Sequence, residues 1–524
     1  MSILDRFDPI LKARKGKGGL RSRYYDKTGI AKHREWRGLK DTAYDYSRWM
    51  MNLGTMVSFI SKSPVRILKG MLRYRWMGSY LSVFAFVDRG LEGHRGAELR
   101  VGHLHMYMII KRVTDQLATM FSADERFGEN QLSHRLVGYD ETMPPIFLAG
   151  FKNLIPMPIQ TFPEFLICNL DQQLMPHYID VMESYGVPPD VCSRCEAEAG
   201  VAAEDDYPIF GQCVITSNMP CDGSIMTSAY QARRFKKPTF PLMMPMRHSE
   251  EEVHDYTETQ LSGAMNFVQK YTGEVFDWEA FWDKAKNLNE QNEIEMMKWD
   301  YFKTPYSPLS GESQSLYRLF YWASNSGMEE KFVKTDRKVL RIMEDCYEKK
   351  YLPFRGETRH RCFIWSTAAV FYTDFPTWLQ NCWGITVVLN MDSTMGFNQI
   401  DTEDPQKSMR DLAIMSEKGT MRHHAVGGYE NVAMLWELVE EFRCDMVLFY
   451  DQIACKGMNG VHGIFEEESR KRDLHFMWVE HDLQDPRTVS RQQMRDQVNE
   501  YMFTVMQEEP LDETLLYFDD SQAW

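Results

Sequence analysis

Twice along this chain a short apolar run that reads as a strand ends in a turn carrying a cysteine, and helical spacing follows. Residues 214–216 lead into SNMPCDGS with Cys221, and residues 446–450 lead into DQIACKGMNG with Cys455. Strands alternating with helices imply parallel sheets, since a chain that re-enters a sheet in the same direction needs a crossover about as long as a helix. The carboxyl ends of such strands are where open α/β sheets assemble their sites. Both cysteines therefore fall where chemistry is expected.

The coarse pattern gives two alternating blocks around a helical one. Residues 136–158 read as an opening turn, a helix and a loop. Residues 213–217 read as a strand, 224–235 as a helix and 239–246 as a second strand. From 248 to 351 strand signals are missing and apolar residues recur every three to four positions, with TPYSPLSG as a breaker. In the second block 362–369, 385–391, 446–450 and 474–480 read as strands, and 375–382, 431–442 and 491–507 as helices, the last capped by Thr488 or Ser490. From 49 to 112 the spacing is helical, with breaks expected at Gly54, Pro64, Gly70 and Gly78. The fold class is α/β: a basic, mainly helical extension at 1–125, a parallel-sheet domain at 126–250, a helical region at 251–355 and a second parallel-sheet domain at 356–524.

Charge divides the chain unequally. Residues 1–113 hold 23 Lys and Arg against 9 Asp and Glu, although the whole chain carries a formal charge of -15. Such an arm resembles a nucleic-acid tail, but the strong acidity of the remainder favours docking on an acidic surface of this chain or of a partner subunit. No nucleic-acid partner is therefore expected, and removal of everything before about residue 125 is expected to leave the α/β core folded. The apolar stretch at 80–87 is too short to span a bilayer, and Asp5, Arg6 and Asp8 interrupt any leader-like start. The cysteine spacing is not that of a secreted disulfide scaffold, so a reducing cytoplasm is the expected location.

Of the 10 cysteines, Cys168, Cys213, Cys346, Cys362, Cys382 and Cys444 sit in apolar or helical stretches and read as packing residues. Cys192, Cys221 and Cys455 lie in turn-like contexts, and they can be read as three thiolate ligands of one iron-sulfur cluster. A four-iron cluster held by three thiolates keeps one iron open for substrate. Cys195 makes a CxxC with Cys192, a spacing also used by zinc and dithiol sites, but no second CxxC completes a zinc site.

Residues 136–507 resemble a subunit of the 2-hydroxyacyl-CoA dehydratase and benzoyl-CoA reductase family. The resemblance rests on Pro144-Pro145, on Cys192-Ser193 leading into small residues up to Gly200, and on Cys221-Asp222. It continues through SPLSG at 307–311, Cys455-Lys456 after a strand, and HDLQDPRTVS at 481–490. It implies two Rossmann-like α/β domains with a helical part, and an oxygen-sensitive 4Fe-4S cluster held by Cys192, Cys221 and Cys455. It further implies a homologous second subunit, an ATP-dependent iron-sulfur activator protein and an acyl-CoA thioester substrate. The reaction implied is loss of water from a 2-hydroxyacyl-CoA through a ketyl radical to give an enoyl-CoA. The alternatives are a benzoyl-CoA reductase-like, ATP-dependent reductase and a non-catalytic relay or assembly protein. Ser193, His423 and His424 are the candidate catalytic side chains. Three features depart from the family pattern: the long basic lead-in, Cys195 as a fourth thiol, and Gln497 where relatives usually carry arginine. Cys195 is expected to be a non-ligand, on the reading that Glu196 and Glu198 mark a helix face turned outward.

Overall fold

The computed structural model describes residues 38–517 apart from 84–85, 88–90, 92–93, 141–142, 161, 164–165, 172, 219–221, 246–249, 310–316, 319–328, 354–356, 395–396 and 419–428. Its frame is two four-stranded parallel sheets. The first contains β1 (Leu136–Tyr139), β2 (Ile155–Pro158), β3 (Cys213–Ser217) and β4 (Thr239–Leu242), in the order β2-β1-β3-β4. The second contains β5 (His360–Trp365), β6 (Ile385–Asn390), β7 (Met446–Gln452) and β8 (His475–His481), in the order β6-β5-β7-β8. The second sheet thus repeats the first strand for strand. In each, the order reverses beside the first strand, so the switch point lies between β1 and β3 in one sheet and between β5 and β7 in the other.

Side-chain alternation along the strands distributes three cores. Leu136, Met157 and Val214 from the first sheet and Cys362, Ile364, Met446, Leu448 and Val479 from the second face one continuous core. The opposite face of the first sheet, with Val137, Tyr139 and Ile215, packs on helices Glu251–Thr272 and Trp278–Phe302 through Leu261, Ala264 and Phe281. The opposite face of the second sheet is aromatic, with Phe363, Trp365 and Phe449 meeting Trp436 and Phe465. Both faces of both sheets are covered, as parallel sheets require.

Several elements differ from the sequence reading: β4 ends at Leu242 rather than at 246, and Gly70 and Gly78 lie inside helical turns rather than at breaks. Residues 136–158 hold β1 and β2 around a 3-10 turn, Pro145–Leu148, where a helix is expected. Four-residue strands are too short to display a period, and Pro156 and Pro158 fall where the N–H of this edge strand faces away from β1, to which Ile159 turns its own N–H. Helix Leu39–Lys62 runs straight through Gly54 and stops at Ser63, ahead of Pro64. One glycine costs a helix about 1 kcal/mol, too little to end one of this length. The closing helix also turns α to π, from Arg491–Tyr501 to Met502–Met506. Of its two candidate caps, Ser490 is the one used: its Oγ accepts from the Gln493 N–H at 3.2 Å while Gln493 Oε1 accepts from the Ser490 N–H at 2.8 Å.

The basic region is not an appendage where it is described. Helices Pro64–Arg73 and Gly96–Ala123 bring Ile67 and Phe121, with Tyr74 and Trp76 beside them, into the core shared by the two sheets. Tyr74 stacks on Trp76 at 5.9 Å and on Phe121 at 5.7 Å, and all three rings are fully buried. Each such side chain is worth about 1.5–3 kcal/mol of burial. Removal of everything before residue 125 would therefore open the core, contrary to the expectation from sequence. Arg73 pairs with Asp205 at 3.2 Å and Arg75 with Glu204 at 3.6 Å, so cations of this region dock on carboxylates of the same chain.

Candidate functional site

Helix Ser193–Ala203 begins immediately after Cys192. It lies so close to helix Met175–Ser184 that a Cβ on Gly200 would come within 2.1 Å of the Tyr178 carbonyl oxygen, which explains the run of small residues. Its amino end abuts the second sheet. The Ser193 hydroxyl donates to the Asp482 carboxylate and accepts from the Gln484 N–H at 3.1 Å, both residues lying just beyond β8. Gln452, the last residue of β7, places its Nε2 3.8 Å from Cys192 Sγ, and its carbonyl accepts the Cys455 N–H at 2.8 Å. Across the same gap Lys456 reaches Asp190 at 2.7 Å. A helix from the first half and strand ends from the second thus converge on Cys192 and Cys455.

Burial sorts the thiols. Cys168, Cys213, Cys346, Cys362, Cys382 and Cys444 are buried, whereas Cys192 and Cys455 are half-buried. Burial pushes the Cys213, Cys382 and Cys444 thiols up to about 12 and that of Cys346 up to about 11, which disfavours the thiolate a metal needs. Cys195 is buried as well, but its neighbours correct the sequence reading: Glu196 and Glu198 are 2% and 4% exposed and face inward. Glu198 accepts from Gln160 at 3.0 Å and from Gln231. Burial, with Glu183, Asp482, Asp485 and Asp190 nearby, raises the Glu196 carboxyl to about 8.

Cys221, His423 and His424 lie outside the described residues. Sequence order sets Cys221 between the end of β3 at Ser217 and helix Asp222–Phe235, as Cys455 stands between β7 and the turn Lys456–Asn459. Among the described residues, no group of three or more His, Cys, Asp or Glu could hold a metal. Cys192 and Cys455 supply two soft donors, and the third thiol of the set is the undescribed Cys221. The surroundings suit a bound group: Gln452 Oε1, both amide atoms of Gln484 and Glu196 Oε1 are buried without a hydrogen-bond partner. Polar atoms orphaned together call for something to satisfy them.

Sequence reasoning missed Gln452, Gln484, Asp482 and Glu196. The only signal for the first three was adjacency to quoted motifs, since an amide or carboxylate near a turn has no pattern of its own. The backbone next door is also constrained, as Ser366 directly after β5 holds φ +75° and is 2% exposed. A cavity of about 460 Å³ lies elsewhere, lined by Leu309 of the SPLSG segment together with Phe302, Thr358, Arg361 and Val387. It opens at the amino ends of β5 and β6, at the opposite end of the sheet from Cys455. Gln497, the departure after the DPR segment, spans the backbone of β8: Nε2 donates to the Glu480 carbonyl at 3.2 Å and Oε1 accepts the Glu480 N–H at 2.7 Å.

Fold and site together define a class: an α/β protein of two like parallel sheets, with Cys192 and Cys455 gathered at the carboxyl ends of β7 and β8. A family model, 2-hydroxyglutaryl-CoA dehydratase, D-component, matches residues 154–502, and the chain belongs to that family. The match takes in all three cysteines of the set. Comparison with the curated proteins finds no match to the chain. No helix among the described residues is long and apolar enough to cross a membrane.

Proposed function

We propose that this chain is the subunit of a 2-hydroxyacyl-CoA dehydratase in which Cys192, Cys221 and Cys455 hold a 4Fe-4S cluster. The observation that carries the reading is the convergence of Cys192 and Cys455 on Gln452, from different halves of the molecule, beside unsatisfied buried amides. The family match supports the dehydratase class.

The substrate chemistry explains why such a site is needed. The C3 proton of a 2-hydroxyacyl thioester is not acidified by the carbonyl, so acid-base elimination faces a high barrier. One electron added to the carbonyl gives a ketyl radical anion, which breaks the C2–O bond and releases hydroxide. Loss of the C3 proton yields the ketyl of the enoyl thioester, which gives the electron back and leaves enoyl-CoA and water. When bound, the cluster supplies one-electron chemistry and an iron position able to act as a Lewis acid.

The chain's own residues position and shield. Ser193, with its proton given to Asp482 and a lone pair taken by the Gln484 N–H, fixes the start of the helix that carries Cys192. That helix terminus presents the positive end of its dipole toward any anion seated there. His423 and His424 are the groups assigned to the C3 proton. A homologous second subunit and an ATP-dependent iron-sulfur activator complete the system, in the cytoplasm and without nucleic acid.

The test is anaerobic incubation of the iron-loaded protein and its partner subunit with activator, ATP and a panel of 2-hydroxyacyl-CoA thioesters. Water loss with no net electron consumption is expected. Sustained electron uptake would instead mark a reductase of the benzoyl-CoA type, and neither outcome would leave a relay or assembly protein.

A further inference from the structure

We propose that Gln452 is a positioning residue that couples Cys192 to Cys455 and raises the reduction potential of the cluster they hold; this rests on the cluster reading above. Gln452 ends β7 and is 4% exposed. Its main chain is tied to one cysteine, through the Cys455 N–H bonded to its carbonyl at 2.8 Å. Its side chain reaches the other, with Nε2 3.8 Å from Cys192 Sγ. One residue therefore fixes the separation of two thiols that arrive from different halves of the chain.

The donor also has an electrostatic consequence. An N–H···S bond to a thiolate strengthens as negative charge on the sulfur grows. Adding an electron to a cluster raises that charge, so the donor favours the reduced state, and hydrogen bonds to sulfur are a recognised control on cluster potential. The corresponding position of the first sheet carries a different side chain. The register puts Ser217 opposite Leu242 where the second sheet has Gln452 opposite His481, and the Ser217 hydroxyl is committed to Asp140 at 3.1 Å.

The experiment is a redox titration followed by electron paramagnetic resonance on full-length, anaerobically iron-loaded wild type, Gln452→Met and Gln452→Glu. Methionine keeps the length of the side chain and loses the donor; glutamate keeps the shape and loses it too. Both variants are expected to retain iron and to be harder to reduce by about tenfold in the one-electron equilibrium, about 59 mV, with glutamate shifted at least as far. Deuteration should move the iron-sulfur stretching bands of the wild type and not of Gln452→Met. Equal potentials in wild type and both variants overturn the inference alone. Loss of iron from both variants also overturns the tuning role, reducing Gln452 to a structural support. A wild-type chain that takes up no iron overturns the cluster reading itself and this inference with it.

Discussion

The two sheets share one strand order but are stabilised differently. In the first, strands of four or five residues carry prolines at Pro156, Pro158 and Pro241 and depend on close backbone approach beside them, as at Gly200. In the second, strands of six or seven residues hold an aromatic face in which Phe449 touches Trp478 at 4.7 Å and Phe465 at 5.3 Å. The same topology is thus held once by proximity and once by ring area. The first should be sensitive to added atoms, the second to removed ones.

Four measurements would break or sharpen this contrast. The largest effect is expected where the halves are most alike: if Cys221 and Cys455 occupy corresponding positions after β3 and β7, Cys221→Ser and Cys455→Ser should each lose most bound iron and the broad visible absorption of anaerobically purified protein. Full iron retention by either would end the correspondence. Next, Phe449→Ala should cost the second sheet about 3–5 kcal/mol of stability in urea unfolding.

His481 gives the third test, because burial pushes its imidazole down to about 4 in the fold. In the unfolded chain it titrates near 6.5, so between pH 6.5 and 4 the unfolded state binds the extra proton and stability falls as pH is lowered, by roughly 3 kcal/mol at the limit. Leu242 holds the corresponding position in the first sheet. His481→Leu should therefore flatten the stability profile below pH 6.5, and an unchanged slope would assign acid sensitivity elsewhere. Last, Gly200→Ala should destabilise the helix pair beside the first sheet by about 1–3 kcal/mol; a neutral result would show that the pair can move apart.

Long-period features were legible from sequence, and contact features were not. Six of the eight strands begin or end within a residue or two of their expected limits because runs such as MVLFY and ITVVL are apolar, β-branched and bounded by turns. β1 and β2 escaped because four residues, two of them prolines in β2, display neither period nor propensity. The six packing cysteines could be separated from Cys192 and Cys455 because glycine, aspartate and lysine beside a thiol mark a turn. Glu196 shows the limit: a carboxylate in a helix reads as solvated, and only tertiary packing reveals it buried among four other acids. Gln452 shows it too, since its partner Cys192 is 260 residues away in the chain.

Gln497 has a consequence for solubility. β8 is the outer strand of its sheet, and an outer strand offers unpaired amide and carbonyl groups on which another chain can extend the ladder. The Gln497 side chain imitates a neighbouring peptide unit, taking both the N–H and the carbonyl of Glu480. An arginine there could donate to that carbonyl but has no acceptor for the N–H. That pairing closes one rung on the outer edge of β8, and Tyr501, bonded to the Phe476 backbone, closes another, which guards the strand against strand-by-strand self-association.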